Sequence, residues 1–241
     1  MPLKTALLFV GDSRAHGFDR YDCPQKVTVH FVIKRGARVD DLVAPTLTKL
    51  QSLYSYDIVI VKIACGINNF TQFVKRNNVK DLVESAATER SVFNELVEFK
   101  KAIKHCCPKA LVGFVTIPTL SFVKYRDTRV GKEHSQYSDR ELSIFQSEVD
   151  GKLKSLNIRI KLENSTRQSG FETGCRTVSW HNSITRQSRR KRRDGTSRTV
   201  TRTCFNQLYD GLHAVRPLKR KWFDEVCKAA LAERRYLKRY I

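Results

Sequence analysis

The apolar residues of the chain come in short continuous runs, separated by segments in which they recur every three or four positions. The continuous runs lie at 5–10, 27–33, 57–64, 111–117 and, more weakly, 158–162. Such runs, rich in Val and Ile, are typical of parallel strands that are covered on both faces. The pattern therefore predicts five strands of a buried, mainly parallel sheet.

The segments between the runs have helical periodicity. One apolar stripe consists of Val92, Leu96, Phe99 and Ile103, and a second consists of Leu142, Phe145, Val149, Leu153 and Leu156. Ser138 and Glu141 have the spacing of a capping box at the start of the second helix. Pro217 favours the first turn of a last helix. Alternating strands and helices predict an α/β fold, a three-layer α/β/α sandwich formed by one domain over residues 1–241.

Residues 163–203 interrupt this pattern, because they contain few apolar residues and show no period. Within 186–203 there are eight basic residues and one acid, a local charge of +7. The basic residues are Arg186, Arg189, Arg190, Lys191, Arg192, Arg193, Arg198 and Arg202. A block of like charge repels itself, so we expect a flexible basic insertion within the domain. It is a candidate nucleic-acid-binding segment, a nuclear localisation signal, or a solvated loop.

The charge balance narrows the class of partner. The 241 residues include 45 Lys and Arg against 24 Asp and Glu, a formal net charge of +21. Polyanions such as DNA or RNA are the expected macromolecular partners. The seven Cys include no CxxC pair and show no metal-ligand spacing, which predicts reduced thiols and an intracellular, cytoplasmic or nuclear location. No apolar stretch has the length of a membrane span.

Polar and small residues follow each of the first three strands, where an active site of an open α/β sheet is usually built. Gly11-Asp12-Ser13 ends the first strand, Gly36 follows the second, and Gly66 and Asn68 follow the third. Asp210 and His213 precede the last helix. The sequence predicts that these segments meet at the carboxyl edge of the sheet.

These residue types match the needs of nucleophilic catalysis by serine. The hydroxyl of Ser13 needs a base, His213 can take its proton, and Asp210 can fix the tautomer of the ring. A tetrahedral oxyanion needs aimed donors, and the candidates are the backbone N–H groups of Ser13 and Gly36 and the side-chain amide of Asn68.

The four segments, in this order, resemble the conserved blocks of the SGNH hydrolases, the GDSL-type esterases and lipases. The resemblance implies that Ser13 is the nucleophile, His213 the base and Asp210 its partner, with Ser13, Gly36 and Asn68 forming the oxyanion hole. It also implies hydrolysis of ester or acetylated substrates without a metal or other cofactor. Two residues depart from the usual blocks: Arg14 stands where Leu is frequent, and Asn69 replaces an acid.

Two functions are consistent with these observations. The first is a serine esterase or deacetylase that works through an acyl-enzyme. The alternative is a catalytically weak or inactive SGNH-fold module that binds nucleic acid through its basic surface. SGNH-like esterase domains occur in some eukaryotic retroelement proteins, and this basic, cysteine-containing, signal-free chain looks similar to those. Arg14 either attracts anionic substrates or is a solvated surface residue, and Trp180 either stacks on bases or packs on the protein itself.

Overall fold

The computed structural model of the protein describes residues 3–23, 27–76, 78–168, 171, 174–191 and 197–238, with backbone only at 189–191, 197 and 198. The strands and α-helices are β1 (Thr5–Gly11), β2 (Thr28–Ile33), α1 (Val43–Gln51), β3 (Ile58–Ala64), β4 (Thr71–Arg76), β5 (Val79–Glu84), α2 (Glu89–Cys106), β6 (Ala110–Phe114), α3 (Phe122–Arg129), α4 (Asp139–Ser165), α5 (Trp180–Ser183), β7 (Thr185–Lys191), β8 (Ser197–Thr203) and α6 (Arg216–Leu237).

The main sheet has four parallel strands in the order β2-β1-β3-β6. In register, Leu8 of β1 lies between His30 of β2 and Val61 of β3, and Val61 also pairs with Val112 of β6. Four of the five strands predicted from the apolar runs are therefore confirmed. All residues of β1, β3 and β6 are buried, which explains why apolar and polar residues do not alternate along these strands.

The fifth predicted strand, 158–162, is wrong, because these residues belong to α4. Leu153, Leu156 and Ile160 are all buried along that helix, so the apolar residues of the weak run also satisfy a helical period. At the corresponding edge of the sheet, Val178 makes a single parallel bridge with Val115. Among the described residues, the sheet therefore has four strands and not five.

Helices cover both faces of the sheet. Alternate residues of β1 point to opposite sides: Leu8 and Val10 pack in the core formed with α1, α2 and α4, whereas Leu7 and Phe9 pack in the core formed with α6. Trp180 lies in the second core, where its ring stacks on Trp222 of α6 at 4.7 Å. Trp180 thus packs against the protein interior and is not a surface platform for bases.

The predicted helical stripes face the first core. All four residues of the α2 stripe are buried, and Ser138 and Glu141 form the predicted capping box of α4. Phe145 is the one member of the α4 stripe that is half-buried. Pro217 lies in the first turn of α6, as expected. Within the described residues, no helix is long and apolar enough to cross a membrane.

Two antiparallel hairpins were not expected from the sequence. β4 pairs with β5, and β7 pairs with β8 inside the basic segment 163–203. The absence of regular structure predicted for that segment is therefore wrong in part: its first residues end α4, and the hairpin and α5 follow. The strand β8 contains Thr and Val between its two arginines, residues that favour strands. Flexibility of the insertion stays a prediction.

Candidate functional site

Ser13 lies just beyond the carboxyl end of β1, the centre of the sheet. Asp12 makes the turn, because its carboxylate accepts a hydrogen bond from Arg14 N at 2.9 Å and its carbonyl accepts one from Ala15 N at 3.1 Å. Gly11 allows this turn to pack tightly, since a Cβ there would come within 2.9 Å of the Phe9 ring. The strand therefore ends in a short 3-10 turn that presents a half-buried serine.

Asp210 and His213 share a tight turn before α6. Asp210 is fully buried, and one of its oxygens, Oδ1, accepts hydrogen bonds from the backbone N–H groups of Leu212 (3.1 Å) and His213 (2.8 Å). Gly211 is required by its φ of +78° and by the close backbone of Ser121, whose N–H donates to the Gly211 carbonyl at 2.7 Å. The turn thus fixes the carboxylate and the imidazole relative to each other.

The three predicted residues form one hydrogen-bonded chain. His213 Nδ1 is 2.8 Å from Asp210 Oδ2, and His213 Nε2 is 3.0 Å from Ser13 Oγ. The first bond places the ring proton on Nδ1, which leaves Nε2 as the acceptor for the serine hydroxyl proton. The arrangement can hold one tautomer of the imidazole and take a proton from Ser13.

The loops that carry the oxyanion candidates also meet. Asn68 donates from Nδ2 to the carbonyl of Ala37 at 2.9 Å, so it lies against the loop that contains Gly36. An amide nitrogen has two hydrogens, and this bond uses one of them. The backbone N–H groups of Ser13 and Gly36 make no hydrogen bond within the described part of the chain. With respect to the described residues, each of the three donors therefore keeps an N–H that is not hydrogen-bonded.

Asn69 joins three elements around this loop. Its Oδ1 accepts from Val39 N at 3.2 Å, and its Nδ2 donates to Glu95 of α2 at 2.7 Å. Ser85 donates to the Asn69 carbonyl. The sequence departs from the usual acid here, yet the amide oxygen still anchors the loop after β2. Burial raises the pKa of the Glu95 carboxyl, and the amide of Asn69 partly opposes that shift.

Arg14 is neither a solvated residue nor a group that faces substrate. It is 2% exposed, and its guanidinium donates to the carbonyls of Pro118 (2.6 Å) and Thr119 (3.5 Å). Burial lowers its pKa to about 10, while Asp12 opposes that shift. Both readings of Arg14 drawn from the sequence are therefore wrong, because the residue binds the loop after β6 to the serine turn.

Arg129, at the end of α3, was missed by the sequence reasoning. It donates from Nε (3.0 Å) and Nη2 (2.7 Å) to Asp210 Oδ2, the oxygen that also faces His213. Burial opposes ionisation of Asp210, but the hydrogen bonds from His213 and Arg129 hold the pKa of its carboxyl well below the usual range. No motif in the sequence marks Arg129, and only the fold brings it to the aspartate.

The positions proposed for nucleic-acid binding lie mostly in the β7–β8 hairpin. Arg192 and Arg193 fall outside the described residues, and the side chains of Arg189, Arg190, Lys191 and Arg198 are not described. The register pairs Arg186 with Arg202 and Arg190 with Arg198. The hairpin leads into the segment before Asp210, so the basic insertion and the serine site belong to neighbouring parts of the fold.

The described residues offer little else for catalysis or ligation. No group of three or more His, Cys, Asp and Glu in that part of the chain is arranged to hold a metal ion. All seven cysteines are free thiols. His16 is exposed and its Nε2 bonds Arg35 at 2.7 Å, away from the position of a base for Ser13.

Comparison with solved structures identifies the fold. A carbohydrate esterase of family 3 from Talaromyces cellulolyticus superposes with a TM-score of 0.55 at 11% identity, covering 95% of this chain and 97% of that one. A member of the lipolytic G-D-S-L family from Veillonella parvula gives 0.46 at 13% identity, covering 95% and 97%. The chain has the SGNH-hydrolase fold.

A third solved structure, the psychrotrophic esterase EstA from Pseudoalteromonas, gives a TM-score of 0.46 at 14% identity, with 97% of this chain and 99% of that one covered. No protein-family model matches the sequence. None of the curated proteins compared with it is significantly similar. The SGNH fold is thus recognised through structure, at identities where the amino acids have largely diverged.

Proposed function

We propose that the chain is a serine ester hydrolase that works through an acyl-enzyme. The observation that carries the proposal is the hydrogen-bonded chain from Ser13 Oγ through His213 to Asp210, at 3.0 and 2.8 Å. These distances are those expected of a nucleophile, its base and the orienting acid. The SGNH fold, which is that of esterases and lipases, supports the same class of reaction.

The reaction follows from the groups around Ser13. His213 Nε2 accepts the hydroxyl proton while Ser13 Oγ attacks the ester carbonyl, and Asp210 stabilises the imidazolium that forms. The N–H groups of Ser13 and Gly36 and the Asn68 amide receive the oxyanion. Collapse of the intermediate breaks the bond to the alcohol, which takes the proton from His213. Water, activated by the same histidine, then releases the acid and restores Ser13.

The decisive experiment compares the wild-type protein with Ser13→Ala. We expect hydrolysis of short-chain nitrophenyl esters and stoichiometric labelling by a fluorophosphonate in the wild type only. Loss of a triad member costs several orders of magnitude in serine enzymes. Ser143→Ala, which changes an exposed serine of α4, is the control and should behave as wild type. Equal turnover by wild type and Ser13→Ala would falsify the proposal.

A second function, binding of nucleic acid through the insertion, is favoured by the register of the basic hairpin. Arginines directly opposite each other, as Arg186 and Arg202 are, destabilise an antiparallel pair. Phosphates that bind between such residues relieve the repulsion. This role is independent of hydrolysis, and it is the main role in the alternative in which the chain is a weak or inactive enzyme.

The basic part of the β7–β8 hairpin can be deleted while the pairing at its base is kept. Thr185 pairs with Thr203, and below them Cys204 N donates to the Ile184 carbonyl at 2.6 Å, so residues 186–202 can be replaced by Asn-Gly. If about four basic side chains reach phosphates, the slope of log affinity against log salt should flatten by roughly 3–4 units. Unchanged affinity and slope for DNA and RNA would rule this function out. Ester hydrolysis, measured on both proteins, tests whether the two roles are separate.

A further inference from the structure

A basic cavity of about 320 Å³ opens beside the serine site. One wall includes Tyr209, whose ring stacks on the His213 ring with a centroid distance of 5.7 Å and an interplanar angle of 21°. It also includes Ala214, which directly follows His213 in the chain. On the other side it is lined by His16, whose N–H bonds the Ser13 carbonyl at 3.2 Å. A group held in this cavity is therefore close to an ester placed at Ser13.

Three cationic side chains line the cavity: Arg20, Arg216 and Lys219. Lys219 Nζ donates to the carbonyl of His16 at 3.2 Å, and Arg35 bonds the His16 ring at 2.7 Å. Within the described residues, none of these four cations lies within ion-pair distance of a carboxylate, although Asp19 is near His16. The cavity thus collects positive charge that the protein does not neutralise by direct contact.

The neighbouring cations also affect the pKa values of Lys219 and His16. Burial lowers the pKa of Lys219, and the neighbouring Arg20 and Arg35 lower it further, while Asp210 acts in the opposite direction. The pKa of His16 is lowered by burial and by Arg35 and Lys219. An anion in the cavity would remove this mutual repulsion, which is the electrostatic requirement for selecting a charged substrate.

The size and charge of the cavity fit a phosphate group better than a carboxylate. Two guanidinium groups can each bind two oxygens of one phosphate, and the lysine supplies a further point charge. Three cations are balanced more closely by a phosphate monoester, which carries ≈ −1.5 to −2 at neutral pH, than by a singly charged carboxylate. A cavity of about 320 Å³ exceeds the ~30 Å³ of one water severalfold, so it has room for such a group.

We infer that the substrate is an acyl ester whose alcohol part carries a phosphate group, bound by Arg20, Arg216 and Lys219 next to Ser13. The inference rests on the proposed function, because it assigns the substrate class of that same site. The phosphate remains bound through the reaction and takes no part in it, while the acyl group is transferred to Ser13 and then to water.

The test compares matched esters and matched variants. 1-Acetylglycerol 3-phosphate and 1-acetylglycerol differ only in the phosphate, and we expect kcat/KM to favour the first by about tenfold or more. In the double variant Arg20→Gln/Arg216→Gln, both exposed positions, the ratio of the two kcat/KM values should fall toward one. The control Arg235→Gln removes an exposed charge from the same helix, far from the cavity, and should keep the wild-type ratio.

Binding is measured separately, by calorimetric titration of glycerol 3-phosphate into the Ser13→Ala protein. We expect saturable binding that the double variant weakens about tenfold and Arg235→Gln leaves unchanged. A third arm, 1-palmitoylglycerol 3-phosphate in neutral phosphatidylcholine vesicles, distinguishes a lipid source of the phosphate from a soluble one.

The outcomes separate the two proposals. Equal kcat/KM for the phosphorylated and neutral esters, with Ser13-dependent hydrolysis of both, would overturn the phosphate inference and leave the esterase proposal standing. An equal loss of preference in Arg235→Gln would also overturn it, because the effect would then come from net charge. Binding of glycerol 3-phosphate without hydrolysis of any ester would contradict the esterase proposal, and with it the assignment of this cavity as a substrate subsite.

Discussion

Arg129 donates two hydrogen bonds to the oxygen of Asp210 that also faces His213, at 2.7 and 3.0 Å. The carboxylate therefore shares one oxygen between a cation on α3 and the imidazole. Arg129 also lies over the ring of Tyr209, with its guanidinium carbon 5.5 Å from the ring centre. It acts on the reaction through Asp210 and is a positioning residue.

Replacing Arg129 by Gln should lower kcat by roughly tenfold or more with a smaller change in KM, because a small displacement of a reacting group can cost up to ~10²-fold. Steady-state ester hydrolysis is the measurement. Stability should also fall, because Arg129 is half-exposed but its partner Asp210 is fully buried and would lose a charged donor. Lys132→Gln is the control, an exposed lysine shortly after α3. A wild-type kcat in Arg129→Gln would remove the positioning role.

The depressed pKa of Asp210 predicts a stability effect confined to acid. The unfolded carboxyl titrates near ~3.9, and the folded one titrates well below this value. Its contribution to the free energy of unfolding is therefore complete above the unfolded pKa and is lost as the pH falls toward the folded one.

We accordingly expect Asp210→Asn to be less stable than wild type at pH 7, with a difference that shrinks below about pH 4. Urea unfolding across this range measures it. If the difference in the free energy of unfolding between wild type and Asp210→Asn grew on acidification, the assigned downward shift of the Asp210 pKa would be wrong. The same variant should lose most of its ester hydrolysis at pH 7, by up to ~10⁴-fold, because Asn can stabilise the wrong imidazole tautomer.

Arg14→Leu introduces the residue that related blocks frequently carry, yet it should destabilise this protein. The carbonyls of Pro118 and Thr119 would lose their buried donor, at a cost of about 1–3 kcal/mol. The measurement is the midpoint and slope of urea unfolding. Equal or higher stability of Arg14→Leu would mean that the unfavourable desolvation of the guanidinium is at least as large as the stabilisation from its hydrogen bonds.

Asn69→Asp introduces the acid that is usual in the SGNH blocks that this sequence resembles, and it should also destabilise the protein at pH 7. The new carboxylate would keep the bond from Val39 N but would stand 2.7 Å from Glu95 Oε2, where the amide now donates. Glu95→Gln should rescue the loss, with a coupling of about 0.5–3 kcal/mol in a double-mutant cycle. Additive effects of the two substitutions would show that Asn69 and Glu95 do not interact in this way.

The sequence predicts the sheet and the serine segments well because both depend on local patterns. Continuous apolar runs identify β1, β3 and β6, and the chain order of Gly-Asp-Ser and Asp-x-x-His places Ser13 and His213 at one edge. The run at 158–162 fails because a short apolar pattern fits a strand and a helix equally, and only packing against the first core selects α4.

The residues that sequence reasoning misjudges are long cationic side chains. Arg14 and Arg129 reach carbonyls and a carboxylate that are distant in the chain, 104 and 81 residues away. Neither residue has a local spacing that marks it, since its partner is defined only by the tertiary fold. The periodicity of the sequence therefore does not reveal the contacts of either residue, although Arg14 directly follows the proposed nucleophile.

The closed base of the β7–β8 hairpin has an evolutionary consequence. Because Cys204 N bonds the Ile184 carbonyl, the two ends of the β7–β8 hairpin meet beside a residue of the second core. Mutations that lengthen, shorten or recharge the hairpin beyond that point need not move Asp210 and His213. Under the two proposed functions, selection can act on nucleic-acid binding by the hairpin and on ester cleavage at Ser13 as two separate traits of one gene.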